Sequence, residues 1–147
     1  MCWLFVRVGG CEVRMVRPDV KVWAHRGASG YAPENTLEAF TLAVDMKADG
    51  VELDVQLTKD GQLVVTHDEQ ISRVSDGTGR VVDYTLEELK QFNFNKTHPE
   101  YADVCKIPTI REVLELLQDT GMTINIELKT GVNFYSGIEK KVVELVH

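Results

Sequence analysis

Cysteine is scarce. Cys2, Cys11 and Cys105 are the only three, widely spaced and without a C-x-x-C pair. That argues against a disulfide framework and a cysteine zinc site, and fits unpaired thiols in a reducing, cytoplasmic compartment. Positive charge is also in short supply: 16 Lys and Arg face 23 Asp and Glu, a net charge of −7. A nucleic-acid partner would need a basic face, so none is expected. No apolar run approaches the roughly 18 residues of a membrane span. The opening MCWLFVRVGG lacks a basic lead and a small-residue cleavage pattern, so it does not read as a signal peptide. Internal repeats and low-complexity tracts are missing as well.

What remains is material for one domain, 147 residues of which 44% are apolar, enough to bury a core. Residues 1–18 show no clear period and are set aside as a leader, with Met15 offering a second start. The domain proper is expected over residues 19–147. Its first element is VKVWAHRG, a short strand that ends at His25-Arg26-Gly27, after which Gly27 and Gly30 open a loop. Asn35 then predicts a helix N-cap with Glu38 three residues on. Leu37, Phe40 and Val44 recur at helical spacing until Asp49-Gly50.

Residues 50–68, GVELDVQLTKDGQLVVTHD, organise the rest. Val51, Leu53 and Val55 alternate with Glu52, Asp54 and Gln56, so the two carboxylates share one face of a strand, roughly 6.5 Å apart along it. Hard oxygen ligands at that spacing suit Mg²⁺ or Ca²⁺. Lys59-Asp60-Gly61 is a hairpin signal. Pairing about it, with opposed positions summing to about 120 by the two-residue strand period, returns His67 and Asp68 to the neighbourhood of Glu52 and Asp54. An imidazole beside a cation pair is the start of an acid/base site. The plainer alternative is an amphipathic surface hairpin with a wet polar face.

The same helix-start signal recurs at Thr85 with Glu88, Thr109 with Glu112, and Ser136 with Glu139. Between the last two lies a strand over residues 123–129, in which Ile124, Ile126 and Leu128 alternate with Asn125, Glu127 and Lys129. Strands alternating with helices imply β/α units and a mainly parallel sheet. Residues 70–105 differ: polar and turn-rich around Asp76-Gly77-Thr78-Gly79, they read as an insertion beside the site with one short helix.

Three strands thus end in charged residues: His25 and Arg26, Glu52 and Asp54, Glu127 and Lys129. Unpaired buried charge costs several kcal/mol, so such clustering needs a cause. A cation held by Glu52, Asp54 and Glu127 at the C-terminal rim of a barrel supplies one. Arg26 and Lys129 would then meet an anionic group, Arg in the forked manner suited to phosphate. Each has a purely structural alternative: a packed strand-end histidine at His25, a carboxylate partner for Arg26, a solvated end for Lys129. Asp68 orients His67, while Glu34 and Asn35 read as loop and cap.

Taken together, AHRGASGYAPENTLEAF, GVELDVQLTKDGQLVVTHD, IPTIREVLELL and INIELK resemble the glycerophosphodiester phosphodiesterase family from residue 22 to about residue 130. The H-R-G, E-x-D, H-D and E-x-K motifs stand in that family's order and spacing. The resemblance implies an α/β fold, the N-terminal part of a (β/α)8 barrel of the phospholipase-C-like group, with residues 70–105 as the small insertion near the glycerol end of the substrate. It implies a divalent metal on Glu52, Asp54 and Glu127, His25 and His67 as base and acid, and Arg26 and Lys129 on the phosphate. The expected activity is hydrolysis of a small-molecule glycerophosphodiester to glycerol 3-phosphate and an alcohol. A lysophospholipase-D-like activity and a non-catalytic half-barrel that binds a phosphorylated ligand are the alternatives. A whole barrel takes about 250 residues, so the C-terminal strands are missing from this sequence; the expectation is a fragment, with a homo-oligomer closing one barrel as the other option.

Overall fold

The computed structural model of the chain describes residues 20–101 and 105–146. The leader, with Cys2, Cys11 and Met15, lies outside the described residues. Among the described residues there are four strands: β1 (Trp23–His25), β2 (Gly50–Leu57), β3 (Leu63–Val65) and β4 (Thr123–Leu128). Four α-helices accompany them: α1 (Leu37–Asp45), α2 (Leu86–Leu89), α3 (Ile110–Leu117) and α4 (Ile138–Val146).

Strand β2 is the axis of the sheet. β4 runs parallel along one edge of it, Gly50 opposite Thr123 and Asp54 opposite Glu127. The other edge is shared, β1 lying parallel to its first half with His25 opposite Glu52, and β3 antiparallel to its last residues with Val55 opposite Val65. The hairpin register therefore sums to 120, as the Asp-Gly turn required. Among the described residues, no strand pairs with the outer edge of β1 or β4.

The apolar face of β2 explains the helical layer. Val51, Leu53, Val55 and Leu57 pack with Phe40 and Ala43 of α1, Ile110, Val113 and Leu117 of α3, and Ile138 and Val142 of α4. Burial of each such side chain contributes about 1.5–3 kcal/mol. The helix starts follow their capping chemistry. Thr85 and Thr109 each close a capping box with Glu88 and Glu112.

Three expected boundaries move. The cap of α1 is Thr36, whose hydroxyl accepts from the Ala39 N–H, because Asn35 stands in a left-handed conformation (φ 56°) and its side chain is used elsewhere. That helix also stops at Asp45 rather than at Asp49-Gly50, closed by Met46 and a left-handed Lys47. At the other end, α4 begins at Ile138, two residues beyond Ser136, with Gly137 at φ 79° between them.

The insertion is less polar than its composition suggests. Ile71, Val74, Val81, Leu89, Phe94 and Ile107 form a second core against Val64 of β3. Ile71 and Val81 lie on the 3₁₀ turns Ile71–Arg73 and Val81–Asp83, Leu89 on the four-residue α2 and the others on connections, so no helical or strand period reveals this core. β3 thus separates two cores, with Leu63 and Val65 against one and Val64 in the other.

Candidate active site at the strand ends

The turn after β1 comes first. Arg26 and Gly27 are both left-handed, at φ 57° and 77°. A Cβ on Gly27 would stand 2.7 Å from the Ala39 Cβ and 2.8 Å from its carbonyl carbon, so the chain passes α1 too closely for any side chain. The turn aims the Arg26 N–H at β2, where it donates to the Glu52 carbonyl (2.9 Å) and to Glu52 Oε2 (3.1 Å). His25 Nε2 lies 3.6 Å from the same carboxylate, its side chain 62% exposed.

Glu52 and Asp54 share a face of β2 through the strand period, and the parallel register brings Glu127 opposite Asp54. Each of the three offers a carboxylate oxygen within 4.8 Å of the others. Asp54 is sealed from solvent and faces one amide and two cations. Asn35 Nδ2 donates to its Oδ2 at 2.9 Å, Arg26 Nε stands 3.4 Å from the same oxygen, and Lys129 Nζ stands 3.7 Å from Oδ1. Yet Asp54 Oδ1 and Arg26 Nε, both buried, make no hydrogen bond. Buried polar atoms are ordinarily paired, so this one carboxylate oxygen awaits a partner.

Electrostatics agree. Burial, and then the neighbouring charge of Asp54, hold the Glu52 carboxyl above the usual carboxylate range. Glu127 is held below it, first by the Lys129 hydrogen bond of 2.8 Å, with His67 and Arg26 also contributing. Burial acts to lower Lys129, but Glu127 and Asp54 outweigh it and its pKa rises. Three oxygen donors, one of them without a hydrogen bond and one pushed toward protonation by burial and then by its neighbour, fit a hard divalent cation.

His67 sits just beyond β3, where the Thr66 N–H donates to the Asp54 carbonyl at 2.9 Å. Its Nδ1 meets Asp68 Oδ1 at 2.7 Å, an arrangement that places the proton on Nδ1 and leaves Nε2 for exchange. The loop itself is held by Gln56. From a fully buried position its amide donates to the carbonyls of Thr66, His67 and Asp68 at 3.2, 3.0 and 2.9 Å, while its oxygen accepts from the Tyr135 hydroxyl at 3.1 Å.

All seven residues singled out from the sequence thus gather at one end of the sheet: His25, Arg26, Glu52, Asp54, His67, Glu127 and Lys129. Four others were passed over. Asn35 is a ligand of Asp54 rather than a helix cap. Glu34 is not a plain loop residue, since it accepts from Arg26 Nη1 at 3.0 Å and from Arg73. Arg73 and Gln56 carried no local motif. Gln56 had one usable signal, an uncharged amide on the inward face beside two carboxylates. Cys105, by contrast, takes no part; its thiol is buried and pushed up to about 12, first by burial and then by Glu38.

Parallel β/α units whose strand ends gather acids, imidazoles and basic side chains at one rim form part of a (β/α)8-barrel architecture. Residues 25–145 match the Glycerophosphoryl diester phosphodiesterase family. The chain belongs to that family. It is 49% identical over 125 residues to a glycerophosphodiester phosphodiesterase of Caldanaerobacter subterraneus subsp. tengcongensis, covering 85% of this chain and 51% of that one. A glycerophosphodiester phosphodiesterase of Bacillus altitudinis is 50% identical over 127 residues, covering 86% and 52%. Among solved structures, a glycerophosphodiester phosphodiesterase from Agrobacterium tumefaciens superposes with a TM-score of 0.77 at 36% identity, over 86% of this chain and 52% of that one. An Oleispira antarctica phosphodiesterase in complex with the product sn-glycerol-3-phosphate gives 0.71 at 43% identity, over 75% and 44%. The chain spans about half the length of the relatives it matches. No helix among the described residues is long and apolar enough to cross a membrane.

Proposed function

We propose that the protein hydrolyses glycerophosphodiesters to glycerol 3-phosphate and a free alcohol, by histidine acid/base catalysis at a divalent-metal site. The observation that carries this is the carboxylate triad with its unpaired Asp54 oxygen, flanked by two imidazoles and two basic side chains. Glu52, Asp54 and Glu127 would hold Mg²⁺ or Ca²⁺, which when bound supplies charge neutralisation for the phosphate.

The chain's own groups account for the remaining steps. Arg26 and Lys129 attract the phosphate and offset the charge that builds on its oxygens, usually the largest catalytic term. His25, the more exposed imidazole, takes the proton of the attacking hydroxyl, the substrate's own glycerol 2-hydroxyl. As that oxygen bonds to phosphorus and the bond to the departing alcohol breaks, the alcohol receives the Nε2 proton of His67, whose ring enters this step doubly protonated. Water then opens the cyclic ester with the two transfers reversed, leaving glycerol 3-phosphate. Each proton transfer is worth roughly 10² to 10⁴ in rate. Asp68 keeps a proton on Nδ1 of His67 throughout, so that Nε2 alone exchanges.

Release of glycerol 3-phosphate from glycerophosphocholine, measured with Mg²⁺, with Ca²⁺ and with a chelator, tests the proposal. Turnover is expected with metal and not with chelator, and is expected to vanish in His25→Ala and Glu52→Ala while the circular dichroism stays native. Near-normal turnover in either variant would remove that residue's role. Tight binding of glycerol 3-phosphate without turnover would favour the half-barrel binding module instead.

A further inference from the structure

The insertion supplies a residue that the proposed chemistry does not yet use. Arg73 closes the 3₁₀ turn Ile71–Arg73 and reaches back to the rim. Its Nη1 and Nη2 donate to Glu34 Oε2 and Oε1 at 2.8 and 2.7 Å, a forked pair, and its Nε donates to Asp68 Oδ2. Glu34 also accepts from Arg26, and Asp68 holds His67. One unbroken chain, Arg26, Glu34, Arg73, Asp68, His67, therefore joins the phosphate-facing arginine to the imidazole on the far side of the site.

We propose that Arg73 is a positioning residue, through which the insertion keeps the Nδ1–H of His67 on Asp68, so that Nε2 is the atom that gives and takes the exchanged proton; this rests on the acid/base role given to His67 above. Isolated surface ion pairs contribute little, and Arg73 is 45% exposed. This pair differs in geometry. Three donors of a planar fork engage two carboxylates that are themselves only 14% and 26% exposed. The turn is anchored as well, because Ile71 is fully buried in the insertion's own core and its N–H donates to the Gly79 carbonyl at 3.0 Å. Arg73 is consequently presented by a packed unit rather than by a loose loop. Without it, Asp68 Oδ2 loses its one ion-pair partner among the described residues, the carboxylate is free to rotate, and the neutral ring is free to move its proton to Nε2.

The test uses the full chain with ¹⁵N-labelled histidine, comparing wild type, Arg73→Ala and Arg73→Lys. Two-bond nitrogen–proton NMR, recorded at alkaline pH where the ring is neutral, is expected to show Nδ1-protonated His67 in wild type, a mixture of tautomers in Arg73→Ala, and an intermediate state in Arg73→Lys, whose single ammonium cannot fork. Where turnover is measurable, kcat is expected to fall on the order of 10–100-fold in Arg73→Ala, the usual loss for a residue that orients a functional group from behind, with KM within about twofold. An unchanged tautomer in Arg73→Ala, or a loss confined to KM, overturns the proposal. Should Arg73→Ala fail to fold, Arg73→Lys is read in its place, and a wild-type ring signal there overturns it equally. If no form turns over, the ring signals alone decide the role of Arg73, and the failure falls on the catalytic assignment instead.

Discussion

Asn35 Nδ2 donates to Asp54 Oδ2 at 2.9 Å, joining the loop ahead of α1 to the middle of β2 with both side chains buried. The bond occupies Oδ2 of Asp54 and leaves Oδ1 without a hydrogen bond, 3.7 Å from Lys129 Nζ. Asn is among the few side chains that tolerate the left-handed backbone found here. Asn35→Asp keeps shape and backbone tolerance but replaces the donor with a second carboxylate. It is expected to lower stability by at least about 1–3 kcal/mol, the cost of an unsatisfied buried group, measured by urea denaturation without metal. Wild-type stability in this variant would show that the contact does not hold Asp54.

Gln56 serves the opposite side of the site. Gln56→Leu leaves the carbonyls of residues 66–68 without their side-chain donor and the Tyr135 hydroxyl without its acceptor. Loss of at least about 1–3 kcal/mol is expected by the same reasoning, together with loss of turnover because the His67 loop is no longer fixed. A stable variant with full activity would show that the β-hairpin alone holds the loop.

The H-R-G turn gives a paired comparison. Gly27→Ala combines a left-handed φ with contacts at 2.7 and 2.8 Å to Ala39, so it is expected to cost at least about 1–3 kcal/mol from backbone strain alone. Gly30→Ala meets nothing within 4 Å, and should stay within about 0.5 kcal/mol of wild type. Thermal melting of the two variants checks this, and equal midpoints would refute it.

Acid sensitivity should be concentrated in the Arg73 network. Burial acts to raise both Glu34 and Asp68, but Arg73, with Arg26 for Glu34 and His67 for Asp68, outweighs it, so both carboxyls lie below their ordinary values of 4.5 and 3.8. The unfolded chain therefore binds these protons first. Their contribution is complete above the ordinary values and is lost as pH falls through the lower folded ones. Urea midpoints should drop steeply over that acid range in wild type, and less steeply in Arg73→Met. Parallel curves would mean that the network contributes no pH dependence.

Much of this was readable along the chain because it is local. The alternation of β2 requires only the strand period, the turn at Asp60-Gly61 sets the hairpin register, and Thr109 with Glu112 marks a helix start within four residues. The insertion resisted because its apolar residues lie on short turns and connections of uneven spacing and meet only through the back of β3. Asn35 misled because the same short amide that caps a helix also bonds a carboxylate, and nothing within its own neighbourhood chooses between the two.

By itself, then, the sequence determined which strands carry acids, which histidines follow them, and that β/α units stack in parallel, since each of these depends on neighbours a few residues apart. Only the tertiary structure decided which partner each buried polar atom takes. Asn35 with Asp54, Gln56 with the His67 loop, and Arg73 between Glu34 and Asp68 join residues 5 to 39 positions apart. Such bonds form where buried donors and acceptors must be satisfied by whatever the fold brings near, and no spacing rule along the chain encodes that.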